Sequence, residues 1–268
     1  MTKKYDFVAS LGSNCACAEL LKKLLLRQEA GPFDWIRGIS FEQRIQLILK
    51  GFPNFIDKKY LKYMGPNPNA PIHGIYIHKK YGTEFLHDFP SNIELAKALP
   101  PIYERYKRRI SHFLAHFRQK QKILLVFISS DKQDLNLLQS YIAALNKKYF
   151  PAQIFLLYIT HNATLSMEQT IETSLGENCY YVQINNSATN HADSFLALQG
   201  NIPLVSDIIC RYARGITYKK FLSTLHSFKY KFLFAAAQFY SCFSFFKQQR
   251  KKRRRLLFNQ IIDQIDQI

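Results

Sequence analysis

The chain has 268 residues, 47% of them hydrophobic, enough for one domain of roughly 200 residues with an appendage, and this composition excludes wholesale disorder. Its formal net charge of +18 favours anionic partners (a membrane surface, nucleic acid or an anionic substrate) without choosing among them. Five cysteines, an odd number, and an N-terminus MTKKYDF without an apolar signal core argue against a secreted disulfide scaffold and for a reduced, cytoplasmic protein.

Tyr5 to Leu11 alternates and then runs apolar, as a buried strand does. Ser13 or Asn14 can cap a helix that starts at Cys15 and carries Ala18, Leu20, Leu21, Leu24 and Leu25. A thiol at that position meets unpaired N–H groups and the positive end of the helix dipole, so its pKa is expected to fall. Pro32-Phe33-Asp34-Trp35 follows as a compact turn. Ser40 caps a second helix over 41–50, with Gly51 past its end.

Four prolines break residues 53–72, which read as short helix and loop. A hairpin is expected from Gly74 to Leu86, ending in His87-Asp88-Phe89-Pro90. Ser91 to Leu99 reads as a short helix stopped by Pro100-Pro101, and Ile102 to Arg118 as a long one. That long helix carries Arg105, Lys107, Arg108 and Arg109 on its polar face. The apolar runs 122–128 and 153–159 read as strands buried on both faces, with a helix over 132–149 between them capped by Asp131. A helix over 165–175, a strand over 180–184, and loop and short helix from Asn201 onward complete this part.

Strand and helix alternate, which predicts an α/β fold: a three-layer, Rossmann-like, mostly parallel sheet flanked by helices. The Cys15 turn and the 129–131 and 160–163 loops then share the rim where ligands bind in such sheets. Residues 228–268 hold nine Lys/Arg against two Asp/Glu. Their aromatic stretch ends in the run KQQRKKRRR. The uncharged, largely apolar part, 232–246, is 15 residues, shorter than the roughly 20 that span a bilayer. Two domains are therefore expected: an α/β catalytic domain over 1–227 and an aromatic, polybasic helical tail over 228–268. The tail suits an anionic membrane surface through 228–255, placing the protein on the inner face of the cytoplasmic membrane. Packing of the tail on the domain is the other reading, and nucleic acid is less favoured because no recognisable module accompanies the basic run.

Cys15 is the candidate nucleophile and His87 the candidate base, with His191 as runner-up. Asp34 or Asp207 can orient the base, since Asp88, adjacent to His87 on a strand, faces the other way. Ser13, Asn14 and the Cys15 N–H can stabilise an oxyanion. Asp88, Arg108 and Arg109 can contact an anionic substrate. Cys15-Ala16-Cys17 lacks zinc-knuckle spacing and has no second pair, so neither metal nor other cofactor is expected.

The order Leu11-Gly12-Ser13-Asn14-Cys15, Pro32-Phe33-Asp34-Trp35, His87-Asp88-Phe89 and Tyr106-Lys107-Arg108-Arg109 running into an apolar strand resembles a bacterial family of unknown function described as papain-like cysteine peptidases. The resemblance implies Cys15 as nucleophile and His87 as its partner. It also implies a cysteine helix packed on an antiparallel sheet, whereas the strand pattern predicts parallel strands. Delivery of a nucleophile by strand, turn and helix also resembles SGNH-type hydrolases, with cysteine in place of serine. The expected function is a cysteine-dependent hydrolase or acyl transferase. A membrane-associated transferase of the bacterial envelope with a structural Cys15, or a non-catalytic membrane-binding module, are the alternatives.

Overall fold

The computed structural model describes residues 4–119, 121–130, 133–187, 200–227 and 229. Two compact units divide the chain, Met1–Tyr218 and Lys219–Ile268. In the second, residues 219–227 are helical, and the expected aromatic and polybasic tail lies outside the described residues apart from residue 229.

The first unit is mixed α/β and holds two sheets. The larger has the order β1 (Phe7–Ser10), β6 (Lys122–Ser129), β7 (Gln153–His161), β9 (Cys179–Ile184), β8 (Thr170–Ser174). Its first four strands are parallel, and only the edge strand β8 runs the other way. Continuous apolar runs such as Ile123 to Phe127 occur because helices cover both faces. One face carries Phe7, Leu125 and Leu156 and packs with buried residues of α2 (Phe41–Lys50), α3 (Leu95–Phe117) and α4 (Leu135–Lys148). The other face meets α1 (Cys15–Lys23), whose Cys17 thiol lies 3.6 Å from the Val126 carbonyl. It also meets α5 (Ile202–Arg214), which reaches α1 through Arg214 Nη2 donating to Leu24 O at 2.9 Å. The mostly parallel, helix-flanked sheet is thus as expected.

The smaller sheet is antiparallel and is inserted between β1 and β6. Its order is β2 (Ile36–Arg37), β5 (Glu84–Pro90), β4 (Ala70–His78), β3 (Leu61–Asn67). The cysteine helix packs on the parallel sheet, not on this antiparallel one.

Several local expectations need correction. Residues 165–175 do not form a helix; Thr170–Ser174 is a strand, because β9 offers an edge and Thr170, Ile171 and Thr173 suit an extended chain. Residues 61–67 form an edge strand despite Pro66, which an edge position tolerates. Pro100 and Pro101 do not break α3. They remove the donors for the carbonyls of Ala96 and Lys97, and both of those residues are exposed, so water can take the place of the lost bonds. Helix α4 starts at Leu135, with Asp134 as its cap, because the Asp134 carboxylate accepts from Asn136 N at 2.8 Å. Asp131 lies outside the described residues. The chain from Asn201 is more regular than expected, a helix through Arg214 ended by Gly215 at φ 68°.

Candidate functional site

The turn after β1 is held from both ends. Leu11 N continues the ladder to Val126 O at 2.8 Å. A Cβ on Gly12 would come within 2.6 Å of the Asn14 carbonyl, so only glycine fits there. The Ser13 hydroxyl donates to Ile128 O at 2.8 Å, and the Asn14 carboxamide oxygen accepts from Ala16 N at 2.8 Å. Ser13, Asn14 and Cys15 are therefore assembled at the carboxyl end of β1, beside the end of β6. The price of this anchoring is that the Ser13 hydroxyl is committed to the backbone.

Cys15 is the first residue of α1 and is half-buried. Its thiol pKa is raised, not lowered as the helix start alone predicts. Burial is the main cause, and the nearby Glu19 adds to it. Its own backbone N–H and the Arg37 guanidinium act in the opposite sense and do not prevail. Arg37 was not visible as a site residue in the sequence. It sits on β2, two residues long, which exists because Ile36 and Arg37 pair with Phe85 and Glu84. Its side chain is ion-paired with Glu84.

Asp34 is buried and its Oδ2 accepts from Arg27 Nη1 and Gly31 N, both at 2.9 Å. Burial pushes this carboxyl up to about 6, against the pull of Gly31 N–H, Arg27 and Arg109. Arg27 also lies 5.7 Å from the Trp35 ring. Asp34 thus clasps the loop that carries Trp35, and its hydrogen bonds run to Arg27 and Gly31 and not to a histidine. Asp207, the other candidate orienter, is on α5 and accepts from Arg211 Nε at 3.0 Å and Tyr218 N at 2.8 Å.

His87 lies on β5, with its ring 6.4 Å from Trp35 and 6.1 Å from His73. Burial lowers its pKa and His73 lowers it further, against the nearby Asp88 carboxylate. The imidazole is therefore neutral at pH 7. Asp88 points into α3, where it accepts from the Tyr106 hydroxyl at 2.7 Å and Arg105 Nη1 at 3.2 Å, with Arg109 Nη1 at 3.8 Å. Arg108 is exposed on the same helix. Among the described contacts none joins Cys15 to His87; Arg37 of β2 acts on Cys15, and the Trp35 ring lies against His87. His191 lies outside the described residues. No group of three or more His, Cys, Asp or Glu able to hold a metal ion occurs among the described residues, and no described helix is long and apolar enough to cross a membrane.

The model of the family described as "Putative papain-like cysteine peptidase (DUF1796)" matches residues 6–162, which contain every residue just described as far as β7. An uncharacterized protein of Acanthamoeba polyphaga mimivirus is 28% identical over 131 residues, 44% of this chain. The match spans 59% of that viral protein's own length. No solved structure matches the chain.

Proposed function

We propose, because the chain belongs to the family described as "Putative papain-like cysteine peptidase", that it is a cysteine-dependent hydrolase or acyl transferase with Cys15 as nucleophile and His87 as base. The observation that carries the reading is selective access. Cys15 is the described cysteine with solvent exposure, at a helix start on the rim of a parallel sheet, whereas Cys17, Cys179 and Cys210 are buried. Burial pushes those three thiols up to about 12, 12 and 11. A thiol whose pKa is raised needs a base, and a neutral histidine is the form that accepts its proton.

In this reading the Cys15 thiol transfers its proton to His87 as Sγ bonds to a substrate carbonyl carbon. The Asn14 carboxamide and the Cys15 N–H take the oxyanion. The imidazolium returns the proton to the departing amine or alcohol, leaving an acyl-thioester on Cys15, which water or a second nucleophile then cleaves. Asp34 holds the Trp35 loop beside His87, and Asp88 with Arg109 fixes the strand that carries His87. The exposed Arg108 guides an anionic substrate. The scaffold is read as Rossmann-like, with the strand–turn–helix delivery of SGNH-type hydrolases. Peripheral association with an anionic membrane through 228–255 is a separate proposal that rests on sequence alone.

Acetylation by p-nitrophenyl acetate tests the mechanism. The wild type should release p-nitrophenol in a burst and carry one acetyl group on Cys15 by mass spectrometry. Cys15→Ala should lose both signals, and His87→Gln should slow them. Equal burst and labelling in the wild type and Cys15→Ala would end this reading.

A further inference from the structure

Helix α3 and the loop after α2 enclose a half-open cavity of about 540 Å3, within the size range of small-ligand sites. Its walls include Tyr106 and Lys107 of the Tyr-Lys-Arg-Arg motif, and Lys107 has no part in the Cys15 chemistry. The floor is apolar: Phe52, Phe55 and Ile56 are buried, and Ile110 is half-buried. The rim is polar and mostly basic. Lys58 and Lys107 are both exposed there, with Asn54 and Ser111. Asp57 is the acidic group in the lining, and its Oδ1 accepts from Lys59 N at 3.0 Å. Glu104 reaches Lys107 only as an exposed pair at 4.0 Å, too weak to hold the ammonium.

The wall is also stiff. Phe52 and Asn54 have φ of 56° and 58°, a region that asparagine tolerates but that costs a residue such as Phe52 about 1 kcal/mol or more. The strain is held in place from outside the cavity. Tyr81 donates its hydroxyl to Pro53 O at 2.6 Å, and His78 Nε2 donates to Asn54 O at 3.0 Å. Two left-handed residues pinned by two side chains give a preformed cleft, which loses little order on binding.

We infer that this cleft binds a small amphipathic anion, with its apolar body on Phe52, Phe55 and Ile110 and its negative head between Lys58 and Lys107. The assignment is independent of Cys15 chemistry. Of the basic residues on this helix it uses Lys107, since Arg109 already pairs with Asp88.

Anilinonaphthalene sulfonate, an apolar ring system with one negative charge, is a suitable probe because its fluorescence rises when it passes from water to an apolar surface. The full chain should show a saturable enhancement. Octanoate should displace the probe, and octanol, the same chain without a charge, should do so far more weakly. The double variant Lys58→Glu/Lys107→Glu, at exposed positions, should weaken probe binding by at least about tenfold. Ile110→Trp, which fills the cleft without changing charge, should do the same. Lys22→Glu/Lys23→Glu, an equal charge change at exposed positions of α1 on the opposite face of the parallel sheet, should leave binding unchanged. Enhancement that survives in the first two variants, or falls equally in the distant one, overturns the assignment. So does displacement by octanol as strong as by octanoate.

Discussion

The Tyr106 hydroxyl donates to Asp88 Oδ2 at 2.7 Å, and this bond ties α3 to the strand that carries His87. Both partners are buried, so the bond works in a medium where losing it is costly.

Tyr106→Phe keeps the ring and removes the donor. Asp88 retains Arg105 and Arg109, so the variant should fold and be destabilised by about 1.5–3 kcal/mol, the worth of a hydrogen bond to a charged group. Urea denaturation reads this directly. A loss below about 0.5 kcal/mol would mean that the arginines alone satisfy the carboxylate.

Arg44 gives the opposite expectation. Its side chain is fully buried, and none of its three guanidinium nitrogens has a hydrogen-bond partner. The guanidinium lies 5.4 Å from the Phe33 ring and 5.8 Å from Phe127, and these contacts offset part of the desolvation. Burial pushes its pKa down to about 9. Arg44→Met, similar in volume and without charge, should be neutral or more stable by up to about 4 kcal/mol. A clear drop in the denaturation midpoint would contradict this.

Asp34 predicts a pH dependence with a defined sign. Its folded pKa, about 6, lies above the ordinary carboxylate value of 3.8. Between those two values the folded state holds more protons than the unfolded state. Stability from this group is therefore present at low pH and lost as pH rises through about 6. Asp34→Asn should abolish that part of the slope. Denaturation midpoints of the wild type and Asp34→Asn, compared from pH 4 to 8, should diverge as pH rises; parallel curves would remove the assignment.

Thiol labelling separates access from acidity. Cys15 should alkylate before Cys17, Cys179 and Cys210, yet its rate should keep rising with pH beyond the ordinary thiol range, because its pKa is raised. Arg37→Gln removes the cation that opposes this shift and should slow labelling at pH 8 several-fold. Cys15 reacting fast at pH 6 would show a low-pKa thiolate and contradict the burial argument.

What the sequence by itself determined is what lies within a few neighbouring residues. The apolar runs at 122–128 and 153–159 identify buried strands. The Ser40–Gln43 capping box starts α2, and Asn14 sets Cys15 at a helix start. Gly12 belongs to the same short-range logic, and the motif order sufficed to recognise the family. Tertiary structure alone decided the rest, because it depends on groups far apart in the chain. β2 and β8 are strands only because β5 and β9 pair with them. α3 runs through two prolines because Ala96 and Lys97, whose carbonyls lose their donors, are exposed residues. The fates of Asp34 and Asp88 were set by Arg27 and Tyr106, seven and eighteen residues away. The acidity of Cys15 turned on burial, which no local pattern encodes: a helix start stabilises a thiolate by a fraction of a charge, and desolvation, set by everything packed around it, outweighs that.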